Sequence, residues 1–127
     1  MDMVETLGRA GIIPVIVIEK EEQAVPLAKA LVKGGLPVLE VTFRTTAAAA
    51  AIAAIRKEVP EAIVGAGTLL TVEQLKAAKA AGAVFGVAPG FDPVIMNMIE
   101  TLGKAGVVPV IVIKKEEQAV PLAKALV

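Results

Sequence analysis

The sequence predicts an α/β protein built on a parallel sheet, and three observations carry that prediction. Short β-branched apolar runs alternate with longer stretches of helical composition, the pattern of βα units joined by right-handed crossovers. Most of the short runs are apolar at every position, as strands covered on both faces are. Glycine and proline stand at the junctions, where one element has to stop before the next begins.

The elements follow in order. A short helix opens the chain. Residues 12–18 (IIPVIVI) are the first strand, too short for a helix and apolar on both faces. Residues 21–32 form a helix closed by Gly34-Gly35; Pro26 falls early in it, which predicts an irregular first turn or a late start. Residues 37–44 are the second strand. Thr46 is placed to cap an alanine-rich helix over 47–59, which Pro60 ends. Residues 62–65 are the third strand. Thr71-Val72-Glu73-Gln74 has capping-box spacing and opens a helix to Ala81, with Gly82 as its stop. Residues 83–87 are the fourth strand. Asp92-Pro93 pairs an Asp N-cap with Pro at the first helical position, and that helix runs to Ala105 before Gly106. Residues 107–113 and 116–127 are the last strand and helix.

Five βα units are the complement of a flavodoxin-like open sheet with strand order 2-1-3-4-5, the preferred architecture. Five strands cannot close a (βα)₈ barrel, so the alternative is a half-barrel of the TIM-barrel type that associates between chains. The second strand bears on this choice. Val38, Glu40, Thr42 and Arg44 share one face, and Leu39, Val41 and Phe43 share the other. A half-polar strand suits a sheet edge, which is the place of strand two in the 2-1-3-4-5 order. It suits equally a barrel strand whose polar face looks into a lumen.

Residues 1–127 read as a single α/β domain containing an internal repeat. Residues 1–32 return at 96–127, displaced by 95 positions, with 26 positions identical. The six differences are Asp2/Asn97, Val4/Ile99, Arg9/Lys104, Ile12/Val107, Ile13/Val108 and Glu19/Lys114. Two separated copies do not make a solenoid, which stacks at least three. The second copy stops at Val127 without the glycines that close the first, so the reading is an engineered or recombined chain. A natural duplication accounts for the identity but not for the abrupt end. The copies compete for equivalent places, so the expected partner behaviour is self-association through sheet edges or exchange of the duplicated unit.

Composition narrows the chemistry. Formal net charge is +0, so no electrostatic footprint points to nucleic acid or to a membrane surface. Apolar runs reach only about nine residues, half of a membrane span. The Met1-Asp2 start lacks the basic segment of a signal peptide, and no cysteine is present for disulfides, so a cytoplasmic setting is expected. Ser, Cys, His, Tyr and Trp never occur. Serine and cysteine nucleophiles, histidine bases and imidazole or thiolate metal ligands are thereby excluded, and neither metal nor cofactor is expected. Lys, Glu, Asp, Arg, Thr and backbone amides remain. The principal reaction class within reach of that set is Schiff-base chemistry on a lysine amine.

The motifs LEVTFRT (39–45) and VGAGT (64–68), with Pro89-Gly90 after the fourth strand, resemble the bacterial 2-keto-3-deoxy-6-phosphogluconate / 2-keto-4-hydroxyglutarate (KDPG/KHG) aldolases. The likeness covers residues 10–91 and corresponds to the N-terminal half of that family's (βα)₈ barrel. It implies a class I aldolase ancestry, in which a lysine condenses with the keto group of pyruvate and a carboxylate shuttles protons. It implies further that Glu40 is the proton-shuttling carboxylate and that Arg44 and Thr68 hold the substrate carboxylate. Pro89 stands at the family's Pro-Gly position, with Ala88 where serine is common. The imine lysine belongs to a motif of Lys, then Phe or Leu, then Phe-Pro; these 127 residues do not contain it.

Lys20, Lys114 and Lys115 follow the two copies of the first strand, but their neighbours are charged clusters that read as solvated loops. Gly65-Ala66-Gly67-Thr68 reads either as a tight βα turn or as a turn whose amides could cradle an anion. The sequence thus leads to a folded aldolase-barrel scaffold lacking the parent activity. The alternative is a residual pyruvate-type aldolase, or a weak 2-oxo acid binder, using Glu40, Arg44 and Thr68.

Overall fold

The computed structural model describes residues 3–88. Its elements are α1 (Met3–Ala10), β1 (Val15–Ile16), a 3₁₀ turn (Glu21–Gln23), α2 (Ala24–Lys33), β2 (Val38–Thr42), α3 (Ala48–Glu58), β3 (Ile63–Gly67) and α4 (Val72–Ala80). The fifth helix expected from Asp92, the repeated strand over 107–113 and the helix over 116–127 lie outside the described residues. No helix among the described residues is long and apolar enough to cross a membrane.

The α/β class and the parallel sheet are as expected, but the strand order is β1-β2-β3. A flavodoxin-like sheet would place β1 between β2 and β3. Here β2 is central and buried along its whole length, so its polar positions are not those of a sheet edge. Segment 84–87 continues the series beyond β3. Val84 N donates to Val64 O, Ala66 N to Phe85 O and Val87 N to Ala66 O, around a parallel bridge between Ala66 and Gly86. Consecutive strands lying side by side in sequence order is barrel topology, the second of the two architectures left open.

Helices cover one face of the sheet. Ala48, Ala51, Ile52 and Ile55 of α3 are buried, and their spacing of three, four and seven makes a single helical stripe. Its alanines let the helix lie close over Leu39, Val41, Val64 and Ala66, while Ala24 and Ala28 of α2 seat beside Ile16 and Ile18. Pro26 is the third residue of α2, behind a 3₁₀ turn, so the helix starts late and the missing proline N–H falls where an amide has no intrahelical partner. Both glycine stops form Schellman caps. Leu36 N donates to Leu31 O beside Gly35 (φ 90°), and Ala83 N to Ala78 O beside Gly82 (φ 93°).

Two expected caps differ. The residue before α3 is Ala47, with no side-chain cap, because Thr46 belongs to the preceding turn. Thr71 does accept from Gln74 N, but the Gln74 side chain reaches Leu70 N instead of closing the box on Thr71. β1 is shorter than the apolar run suggests. Beyond Ile16 its attachment to the β2 side passes to a side chain, Thr45 Oγ1 donating to Ile18 O at 2.6 Å. Thr42 Oγ1 adds a bond to Ile16 O at 3.1 Å.

The other face of the sheet is filled around Phe85 and open beside β1. Leu7 of α1 packs with Val38, Phe85 and Val87 near the strand N-termini. Val15 and Val17 remain 61% and 48% exposed.

Candidate active site

The polar face of β2 lies over two glycines of β3. The register places Glu40 beside Gly65 and Thr42 beside Gly67. Each glycine leaves room that another side chain takes. The Phe85 ring lies where a Cβ on Gly65 would be, and the Glu40 carboxylate lies where a Cβ on Gly67 would be, its Oε1 only 1.9 Å from that point. The expected glycine-rich turn at 65–68 is therefore not a turn: residues 65–67 are strand, and the Ala66 amide is bonded to Phe85 O. The chain bends at Thr68, whose φ of 55° puts a β-branched residue in the left-handed region. Such backbone strain clusters where a side chain has to be held in one place.

Arg44 comes from the turn that follows β2. Its Nε donates to Thr68 Oγ1 at 3.4 Å. Glu40, Arg44 and Thr68 thus converge at the C-terminal side of β2 and β3, the end of a parallel βα array where ligands bind. Pro89, the fourth expected member, lies outside the described residues. Glu40 is buried, and burial raises its pKa above the usual carboxylate range while the charge of Arg44 works against the rise. A carboxyl so placed can exchange a proton closer to neutral pH than a solvated one, which is the requirement for a proton shuttle.

The raised pKa makes a stability prediction. The folded chain keeps the Glu40 proton to higher pH than the unfolded chain does, so stability is greatest below the unfolded value and falls as pH rises through the folded one. Glu40→Gln should therefore raise Tm at roughly pH 7 and remove that component of the pH dependence. Denaturation curves for both proteins across the acid-to-neutral range check this. A parent that gains stability relative to the variant as pH rises would show that the carboxylate is instead favoured in its charged form.

Sequence reasoning named Glu40, Arg44 and Thr68 and placed Gly67 in an anion-binding turn, not beneath the Glu40 carboxylate; it missed Phe85, which fills the space beside it. A glycine at alternate strand positions signals close approach of another group, and that signal was present in G-A-G.

The sequence model for the aldolase family described as KDPG and KHG aldolase matches residues 3–103. The chain belongs to the KDPG and KHG aldolase family. The KHG/KDPG aldolase of Escherichia coli K12 is 54% identical over 106 residues, covering 83% of this chain and 47% of the relative. The crystal structure of the 2-keto-3-deoxy-6-phosphogluconate aldolase of Zymomonas mobilis superposes with a TM-score of 0.78 at 45% identity, covering 86% of this chain and 52% of that one. The KDPG aldolase of Legionella pneumophila, solved with pyruvate captured as a covalent carbinolamine, matches at 40% identity and a TM-score of 0.70 over 76% of this chain and 47% of that one. The chain spans about half the length of the aldolases it matches.

Proposed function

We propose that this chain is an engineered or recombined fragment of an aldolase barrel, a folded scaffold without the parent's catalytic activity. It retains the carboxylate-holding and proton-handling side of the family's site. The observation that carries this reading is the state of the lysines. Lys20, Lys29, Lys33, Lys57, Lys76 and Lys79, all the lysines among the described residues, are exposed. A Schiff-base amine has to be unprotonated to attack, and its pKa is lowered by burial or by a cationic neighbour. These lysines are exposed and not buried, and the family's imine-lysine motif does not occur in these 127 residues.

The convergence of Glu40, Arg44 and Thr68 supports one second reading: weak binding of a 2-oxo acid, with imine formation if a lysine is recruited. In that step the lysine nitrogen adds to the keto carbon, water leaves, and an imine remains. Borohydride reduces it by hydride addition to a stable secondary amine. Intact-mass measurement after incubation with pyruvate and borohydride is expected to show no adduct, with the Escherichia coli aldolase labelled in parallel as control. A pyruvyl adduct on one mapped lysine would establish the second reading and overturn the first.

A further inference from the structure

Residues 3–32 occupy a defined seat on β2 and α3, and the last 32 residues of the sequence carry the same docking groups. Five residues of the first copy are buried: Leu7, Ile16, Ile18, Ala24 and Ala28. All five recur unchanged, as Leu102, Ile111, Ile113, Ala119 and Ala123. Among the positions where the copies differ, Val4, Arg9, Ile12 and Glu19 are exposed and Ile13 is half-buried, while Asp2 lies outside the described residues. The seat also reads backbone, which does not depend on side-chain identity. Glu40 N donates to Pro14 O, Thr42 Oγ1 to Ile16 O and Thr45 Oγ1 to Ile18 O. Pro109, Ile111 and Ile113 bring carbonyls at the same spacing.

Two further facts make replacement feasible. β1 is the edge of the described sheet and pairs with β2 alone, so the first unit can leave without breaking the β2–β3 pairing. Residues 89–95 link Ala88 to the second copy, whose first docking group, Leu102, corresponds to Leu7; the Leu7 seat is lined by Phe85 and Val87, close before that linker.

We infer that residues 96–127 are a second occupant of this seat, docking on β2 and α3 of their own chain in place of residues 1–32. The fold then carries two interchangeable first units, and damage to one is buffered by the other.

A cycle of buried-charge substitutions in the full chain tests this. Ile16→Asp puts a carboxylate into the seat of the first copy, and Ile111→Asp does the same to the second. Each single variant is expected to lose less than about 5 °C in Tm, whereas the double variant should lose more than about 20 °C or its cooperative transition altogether. Val41→Asp, at a buried seat position that occurs once in the chain, should be as damaging as the double. If Ile16→Asp alone is as damaging as Val41→Asp, the second copy does not substitute and the inference is overturned. If Ile16→Asp stays folded but native mass spectrometry finds a dimer, the occupant comes from another chain and the intramolecular exchange is overturned.

Discussion

Gly65→Ala should be the most damaging added methyl in the sheet, costing about 3 kcal/mol and roughly 12 °C in Tm. Its Cβ would lie 2.3–2.4 Å from three atoms of the Phe85 ring. That ring is 2% exposed and packs against Leu7, Val38 and Val87, so it has no free space to enter. Overpacking of a rigid site forces side chains off their rotamers or the backbone out of register, and here the obstacle is an aromatic ring in a filled core. Shrinking the obstacle should undo part of the damage. Phe85→Leu alone should cost about 1–2 kcal/mol as a cavity, but the double variant should be more stable than the sum of the two singles allows. Thermal unfolding of the three variants measures the coupling. Strict additivity would mean that Phe85 does not occupy the space above Gly65.

Gly67→Ala should act differently, although its geometric conflict is closer. The Cβ would meet Glu40 Oε1 at 1.9 Å and Cδ at 2.7 Å. The obstacle here is the end of a flexible side chain, so the carboxylate can swing out at a stability cost of about 1 kcal/mol. The consequence falls on the site. Glu40 leaves the position whose burial raises its pKa, so its titration should move down towards that of an ordinary glutamate. Carboxyl-selective NMR of Glu40 across the acid range reads this directly. An unchanged midpoint would show that the seat on Gly67 does not control the carboxyl environment. The two glycines are two residues apart on one strand face, yet one substitution tests the core and the other tests the chemistry.

Much of this was legible in the chain itself. Strand and helix alternate because apolar β-branched runs and alanine-rich stretches have different periods, and those periods are local. The Schellman stops at Gly35 and Gly82 and the late start of α2 at Pro26 are local as well, since they follow from allowed φ values and a missing N–H. Thr46 misled for a related reason. A threonine before a helix can serve as a cap or as part of the turn; Thr46 lies in the turn, where the adjacent Thr45 is tied to Ile18 O.

The site divides in the same way. Glu40, Arg44 and Thr68 could be named because they lie in the motifs LEVTFRT and VGAGT, whose residue types and spacing carry the family resemblance. That Gly67 seats Glu40, and that Phe85 fills the place of a Gly65 side chain, depends on which strands lie side by side. Sequence alone determined the class of the fold, the element boundaries among the described residues to within a few positions, and the absence of the family's imine-lysine motif from these residues. Tertiary structure alone decided the strand order. A half-polar β2 satisfies both an edge and a barrel interior, and only its pairing on both sides, with β1 and with β3, buries its carboxylate over a glycine. Periodicity reports which residues share a face; it carries no information about what that face meets.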